Sequence, residues 1–272
     1  MTGSNKKSTE QDALLMSHQD SADRVPVLWI HGYPLSSLLW ELQISDLADI
    51  ARQITPDLRG HGQTPSTAAP YSMEMLANDC VRLLDHLGFV GPVVIGGLSM
   101  GGYVALEICR RHPDRVAGLI LASTRAGADS AEGKAGRDTA AAVATGTGVE
   151  AIVEGMLPKL LAPKTYDEQP DLVDFVREMM METSVDGVVG ALAAMRDRVD
   201  STPGLPNLQI PTLVIHGAED QLIPVGEAES MAAALPDAEL VVVPGAGHLP
   251  NLEQPEVFGD AVRGFLEGFY GE

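Results

Sequence analysis

The sequence has few cysteines and few positive charges. Its 272 residues include two cysteines, Cys80 and Cys109. Both lie in helix-like apolar patterns, so we expect buried free thiols rather than a disulfide framework. Lys and Arg number 18 against 38 Asp and Glu, which gives a formal net charge of −20. This excess of negative charge argues against nucleic acid as a partner, because phosphates would be repelled over most of the protein.

Membrane and cofactor signals are also missing. No apolar run is long enough to span a membrane. Residues 1–12 are polar and lack the apolar segment of a signal peptide. We therefore expect a cytoplasmic protein without a membrane partner. There is no His-Glu-x-x-His, no clustered Cys/His spacing, no Gly-x-Gly-x-x-Gly and no P-loop lysine, so the sequence predicts neither a metal site nor a cofactor.

A glycine-rich turn follows a β-branched apolar run at residues 93–102 and has one serine at its centre. Gly97-x-Ser99-x-Gly101 fits the nucleophile-elbow pattern, in the strand–turn–helix context which that pattern requires. The flanking residues must be small because the sharp turn holds the serine in strained backbone geometry. The following helix directs its N-terminal amides at the same point, where negative charge is stabilised. We predict that Ser99 is a nucleophile; the alternative is an ordinary glycine-rich turn with a bystander serine.

Strand-like and helix-like segments alternate along much of the chain. Strand patterns occur at residues 13–18, 25–30, 51–55, 93–95, 116–122, 212–215 and 239–243. Helical patterns lie between or after them at 38–48, 72–87, 103–111, 226–234 and 255–269. Several of the strands are nearly continuous apolar runs, as expected for strands buried on both faces. The alternation predicts an α/β fold with a mostly parallel central sheet flanked by helices.

The pattern changes after Ser123. Helical patterns follow at 151–161, 169–183 and 185–198, and no strand-like run interrupts them. We predict an inserted helical cap at 124–203 that depends on the sheet beneath it for support. The core is then divided into residues 13–123 and 204–272, and residues 1–12 form a disordered tail.

A nucleophilic serine needs a base, and the base needs an orienting acid. In an open α/β sheet both are expected in loops after the carboxyl ends of strands. His248 follows the last predicted strand and is the predicted base. Asp220 follows the strand at 212–215 and is the predicted acid, with Glu219 as the competing acid. His31 and His216 also lie at strand ends, and we interpret them as loop-supporting and packing residues.

An oxyanion hole requires two preorganised amides. The Met100 N–H directly follows the predicted nucleophile. The second N–H is expected after the first buried strand, where Tyr33 is the candidate because Pro34 cannot donate. We assign substrate-binding side chains at four further positions: Leu35, Met156, Leu222 and Leu249.

Five short motifs together resemble those of the α/β-hydrolase superfamily: His31-Gly32-Tyr33-Pro34, Asp57-Leu58-Arg59-Gly60-His61-Gly62, Gly97-Leu98-Ser99-Met100-Gly101-Gly102, Gly217-Ala218-Glu219-Asp220 and Gly245-Ala246-Gly247-His248. The resemblance runs from about residue 13 to the C-terminus. It is closest to the small bacterial carboxylesterases and the 3-oxoadipate enol-lactonase-like group. It implies an α/β-hydrolase fold and a triad in the order serine, aspartate, histidine. Serine at position 99 argues against haloalkane dehalogenases and epoxide hydrolases, which carry aspartate there.

The predicted activity is hydrolysis of small-molecule carboxylic esters of short to medium acyl chain through an acyl-enzyme. Within the class, the alternative is an enol-lactonase or a carbon–carbon bond hydrolase. A cyclic or anionic substrate would favour a cationic side chain in the pocket, and Arg125 is the candidate. Outside the class, the alternative is a ligand receptor built on a hydrolase scaffold. The sequence leaves the natural substrate and the oligomeric state open.

Overall fold

A single seven-stranded sheet forms the centre of the molecule. The computed structural model describes residues 18–20 and 24–269. The spatial order of the strands is β1-β3-β2-β4-β5-β6-β7. β1 pairs antiparallel with β3, and every other pair is parallel. The strands are β1 (His18–Asp20), β2 (Val25–Ile30), β3 (Ala51–Pro56), β4 (Val93–Leu98), β5 (Val116–Ala122), β6 (Thr212–Gly217) and β7 (Ala238–Val243).

Eleven α-helices are found in the described part of the chain: α1 (Glu41–Asp46), α2 (Met73–His86), α3 (Met100–Arg111), α4 (Ala131–Thr147), α5 (Val149–Met156), α6 (Pro163–Glu168), α7 (Pro170–Met181), α8 (Val185–Arg196), α9 (Val225–Ala234), α10 (Pro250–Glu253) and α11 (Pro255–Glu267). None of the helices formed by residues 24–269 is both long and apolar enough to cross a membrane.

Both faces of the sheet are covered, which confirms the predicted α/β class. Leu28 of β2 belongs to a buried cluster that includes residues of α2 and α3. Its neighbours Val27 and Trp29 belong to a second cluster on the opposite face, which includes residues of α11. Successive side chains of a strand point to opposite faces, so a strand covered on both sides must be apolar throughout. Cys80 and Cys109 are buried free thiols, as predicted.

The chain order of the strands reverses beside β2. From β2 the chain crosses to β3 on one side and then returns to β4 on the other side. The loops that leave β2 and β4 therefore diverge and open a crevice at the carboxyl ends of these two strands. Tyr33 follows β2 and Ser99 follows β4, so the topology brings the predicted oxyanion loop next to the predicted nucleophile.

Three helices were not predicted: α4, α6 and the four-residue α10. The sequence of α4 is rich in alanine, glycine and threonine, and Ala144 is its only buried residue. Such a helix lacks an apolar stripe, so periodicity does not indicate it, and its glycines and threonines offset the helix propensity of its alanines. The only sequence signal for α4 is Ser130, a residue type that often caps helix N-termini. In the structure its hydroxyl does accept a hydrogen bond from Gly133 N at 3.1 Å.

The predicted N-terminal and first helical segments also differ from the structure. The predicted tail at 1–12 and the first part of the candidate strand at 13–18 lie outside the described residues. The helix predicted at 38–48 is shorter, because Ser37–Trp40 forms a 3-10 turn before α1. Leu39 and Trp40 are fully buried in this turn, so tertiary packing determines its conformation.

The helices α4 to α8 lie between β5 and β6 in the chain, and the segment that carries them contacts the loops at the carboxyl edge of the sheet. Thr183 Oγ1 donates to Pro34 O at 2.9 Å. The amide of His248 donates to Leu160 O at 2.8 Å. These contacts hold the helical segment against the loops that contain the predicted oxyanion residue and the predicted base.

Candidate active site

Ser99 occupies the turn between β4 and α3 with a backbone conformation of φ 55° and ψ −113°. A positive φ is strained for any residue with a Cβ. A Cβ on Gly97 would lie 2.3 Å from Gly101 O, and one on Gly101 would lie 2.0 Å from Ile30 O. The two glycines are therefore required by close backbone approach, which explains the Gly-x-Ser-x-Gly spacing. Ser99 is half-buried, whereas its neighbours in the turn are buried.

The strained turn is held in place by the neighbouring strand. Ser99 N donates to Ala122 O at 2.9 Å. Thr124 Oγ1 donates to Ser99 O at 2.8 Å. Thr124 therefore supports the elbow, and sequence reasoning missed it. Its position two residues after the end of β5, beside the elbow strand, is the signal that could have identified it.

His248 and Asp220 form a direct pair. The distance from His248 Nδ1 to Asp220 Oδ2 is 2.7 Å. An ionised carboxylate only accepts hydrogen bonds, so Nδ1 carries the proton and Nε2 presents a lone pair. Ser99 and His248 both line one cavity. The structure thus brings together the serine, histidine and aspartate that the sequence singled out.

The environment of Asp220 keeps it ionised. Its other oxygen, Oδ1, accepts from Leu222 N at 2.8 Å and from Ile223 N at 3.0 Å. Burial raises the pKa of Asp220, but His248 and these two amides outweigh burial, and the net pKa lies below its ordinary value. Glu219, the competing acid, is exposed. The geometry therefore favours Asp220 over Glu219 as the orienting acid.

The loop after β2 is fixed by His31. Its Nδ1 lies 2.8 Å from Gly32 O, and its Nε2 accepts from Leu58 N at 2.9 Å. His31 is therefore a loop-supporting residue, as interpreted from the sequence. A Cβ on Gly32 would lie 3.4 Å from the Ser99 Cβ, so the loop passes close to the serine.

The Tyr33 and Met100 amides are the predicted oxyanion donors. Leu35 N donates to Gly32 O at 3.0 Å, which places Tyr33 inside a tight turn. Met100 is the first residue of α3. Neither backbone N–H donates to another backbone or side-chain atom within residues 24–269. Both amides are thus available beside Ser99.

The cavity that opens on Ser99 has two connected parts. The inner part has a volume of about 280 Å³. The outer part, of about 740 Å³, shares Tyr33, Met156 and Leu222 with it and extends between α4 and α5. Two of the four predicted substrate-binding residues, Met156 and Leu222, therefore line the cavity.

Two predicted substrate-binding residues lie elsewhere. Leu35 and Leu249 belong to the core cluster, are 1% and 0% exposed, and are absent from the cavity wall. Both follow strands closely, but their side chains turn inward to cover the sheet. This corrects the prediction for these two positions.

Glu253 is a further site residue that the sequence analysis missed. Its buried carboxylate accepts from Gly247 N at 2.8 Å, next to His248, and from Ala162 N at 2.6 Å. It also accepts from Thr165 Oγ1 at 2.8 Å. Burial raises the pKa of Glu253, and these donors counteract that rise. Glu253 therefore joins the His248 loop to the segment between α5 and α6.

Replacing Glu253 by alanine is expected to destabilise the protein by at least about 2 kcal/mol, because several buried donors lose their acceptor together. Urea denaturation measures the loss. Glu256→Ala, at an exposed position on α11, is the matched control and is expected to change stability by less than about 0.5 kcal/mol. Equal stabilities of the two variants would contradict the role assigned to Glu253.

Comparison with known proteins identifies the family of this chain. Residues 27–261 match the model of the alpha/beta hydrolase family. The chain belongs to the alpha/beta hydrolase family, as the sequence motifs implied.

Individual relatives have several hydrolase activities. The chain is 28% identical over 262 residues to 3-oxoadipate enol-lactonase 2 of Acinetobacter baylyi, with 96% of each chain covered. It is 42% identical to a thermophilic esterase from Thermogutta terrifontis, solved with malate bound, with a TM-score of 0.91 and 93% of each chain covered. An enol-lactonase from Burkholderia xenovorans is 25% identical with a TM-score of 0.86, over 93% of this chain and 96% of that one.

Proposed function

We propose that this hydrolase cleaves small-molecule carboxylic esters of short to medium acyl chain through an acyl-enzyme intermediate. The observation that carries the proposal is the strained Ser99 facing the same cavity as His248, whose other nitrogen is held by Asp220. Similarity to the Thermogutta esterase supports the ester as substrate class.

In the first half-reaction Ser99 Oγ attacks the ester carbonyl carbon. His248 Nε2 takes the proton of the hydroxyl as the C–O bond forms. The tetrahedral intermediate then collapses, the bond to the alcohol oxygen breaks, and His248 returns the proton to the leaving alkoxide. Asp220 stabilises the imidazolium that exists between these steps and keeps the ring in the tautomer that can accept a proton.

In the second half-reaction a water molecule replaces the alcohol. His248 removes a proton from the water, whose oxygen attacks the acyl carbon. Collapse of this second intermediate breaks the bond to Ser99 Oγ, and the proton on His248 returns to the serine. The products are the carboxylic acid and the regenerated enzyme.

Charge on the carbonyl oxygen develops in both tetrahedral intermediates. The amides of Tyr33 and Met100 are the proposed donors to it, because both flank Ser99 and neither bonds to another atom of residues 24–269. Donors fixed in advance stabilise the developing charge without reorganising during the reaction. The His31 contacts that fix the Tyr33 loop contribute to this preorganisation.

The helices α4 to α8 act in this proposal as the cap that closes the cavity. Each buried methylene of an acyl chain gains about 0.8 kcal/mol until the inner part of the cavity is filled. We therefore expect the highest kcat/KM for acyl chains of about two to six carbons. A p-nitrophenyl ester series from acetate to palmitate measures this, and a maximum at decanoate or longer would indicate an open groove instead of a closed cap.

The enol-lactonase relatives favour lactone hydrolysis as a second candidate activity on the same residues. Parallel assays with p-nitrophenyl esters and small lactones separate the two candidates by kcat/KM.

A fluorophosphonate probe tests the third possibility, a ligand receptor. If the probe labels Ser99 and the unlabelled protein sustains ester turnover, the protein is an enzyme. If the probe labels Ser99 but the unlabelled protein completes at most a few turnovers, it is a receptor.

A further inference from the structure

Positive charge is concentrated around the cavity of this acidic protein. The chain has a net charge of −20, yet Arg125, Arg137 and Lys159 line both parts of the cavity that opens on Ser99. Arg125 was a candidate from the sequence, whereas Arg137 on α4 and Lys159 in the turn after α5 were not anticipated. A local excess of positive charge in a negatively charged protein attracts anionic ligands to that point.

One carboxylate is shared by three guanidinium groups beside this cavity. Asp129 Oδ1 lies 2.8 Å from Arg125 Nη2 and 2.7 Å from Arg198 Nη1. Asp129 Oδ2 lies 3.1 Å from Arg137 Nε. A single negative charge cannot balance three positive charges, so the cluster carries a net charge of about +2 before Lys159 is counted. Glu227 also acts electrostatically on Arg125, but from outside the cavity wall.

Donor groups on this wall are unused by the protein. The Tyr33 side chain lines both parts of the cavity, and its buried hydroxyl has no hydrogen-bond partner among the described residues. Arg125 Nε is likewise buried without a hydrogen-bond partner in that part of the chain, and Tyr103 on the same wall interacts with the Arg125 guanidinium. Arg137 contacts Asp129 through Nε, and its terminal nitrogens make no ion pair within residues 24–269. Buried donors usually have a partner, so the Tyr33 hydroxyl and Arg125 Nε are consistent with an acceptor on a ligand, whereas the half-buried Arg137 nitrogens face the cavity with spare donor capacity.

We propose that Arg125, Arg137, Lys159 and the Tyr33 hydroxyl form a subsite for a carboxylate group on the substrate. The proposal rests on the proposed ester hydrolysis and names its substrate class. The substrate carries an ester or lactone carbonyl, which Ser99 attacks, and a separate carboxylate, which remains chemically unchanged. Planar guanidinium groups match the two oxygens of a carboxylate, and Asp129 prevents the arginine side chains from turning away.

The test compares half-esters with neutral diesters of the same diacid. Monomethyl glutarate and dimethyl glutarate have the same acyl length and leaving group but differ by one charge. The kcat/KM for the half-ester divided by that for the diester is expected to exceed one for the native protein. Arg137→Gln is expected to lower that ratio roughly 10- to 100-fold, because a charge-assisted contact to the substrate is lost.

Matched variants separate the local contact from the total charge. Arg177→Gln removes a charge from an ion pair with Glu154 on the cap surface, and its ratio is expected to equal that of the native protein. Lys159 is exposed, so Lys159→Gln should fold normally and lower the ratio even if Arg137→Gln does not fold. Lys164→Gln, on α6 outside the cavity, is its control.

A binding measurement makes the outcome independent of catalysis. Titration of Ser99→Ala with monomethyl glutarate, dimethyl glutarate and inorganic phosphate is expected to show the strongest binding for the half-ester. Tighter binding of the diester or of phosphate would overturn the carboxylate subsite, and so would equal ratios in Arg137→Gln, Lys159→Gln and the controls. Hydrolysis of neutral esters in that case would leave the proposed function standing, whereas half-ester binding without any hydrolysis would overturn only the proposed function.

Discussion

Replacing Ser99 by alanine is expected to lower kcat for ester hydrolysis by about 10⁵- to 10⁶-fold while the protein stays folded, since the members of a triad act as a unit. The alanine fits the same backbone turn because the substitution removes only the hydroxyl. What is lost is the attacking oxygen that faces the cavity together with His248. The measurement is kcat with p-nitrophenyl acetate, accompanied by a thermal unfolding curve.

Ser230→Ala provides the control for this experiment. Ser230 is exposed on α9, and its hydroxyl donates to Gly226 O at 2.7 Å within the same helix. The control variant is expected to retain native activity. A Ser99→Ala protein that keeps a tenth of the native rate would remove Ser99 from the role of nucleophile.

Replacing Asp220 by asparagine is expected to lower kcat by about 10⁴-fold. Asparagine can offer an N–H to His248 Nδ1, and the ring then takes the tautomer whose Nε2 carries the proton and cannot accept one. The charge that stabilises the imidazolium is also removed. The amides of Leu222 and Ile223 can still donate to the remaining oxygen, so the loop is expected to keep its conformation.

Glu219→Gln is the matched control for Asp220→Asn, because it neutralises the adjacent carboxylate. Glu219 is exposed, so the control is expected to hydrolyse p-nitrophenyl acetate at the native rate. Circular dichroism checks that both variants remain folded. If the Glu219 variant lost activity and the Asp220 variant retained it, the acid assignment would be wrong by one position.

The predicted sheet agrees closely with the structure where the apolar patterns were continuous. The run at 25–30 coincides with β2, and the run at 116–122 coincides with β5. Both strands are buried between helices on two faces, so nearly every residue in them must be apolar. By contrast, α4 has an exposed sequence of small residues, and no periodic pattern distinguishes such a helix from a loop.

The catalytic candidates were predictable because each follows a strand in a short motif. The residues that hold these candidates in position were not predictable. Thr124 and Glu253 contact Ser99 and the His248 loop through hydrogen bonds to backbone atoms. Almost every residue has a backbone N–H and C=O, whatever its side chain. The sequence therefore does not show which backbone group a distant side chain such as Thr124 or Glu253 will bond to.

The α/β class, the alternation of strands and helices, and the elbow at Ser99 all follow from the amino-acid sequence. These depend on local properties, namely apolar periodicity and the steric need for glycine beside a strained serine. The set of side chains that share the cavity depends instead on tertiary packing. Leu35 and Leu249 turn into the core, whereas Arg137 and Lys159 reach the cavity from α4 and from the residues after α5. The reason is that the direction of a side chain depends on how distant segments pack, and packing of the helices between β5 and β6 brings their charges to the carboxyl edge of the sheet.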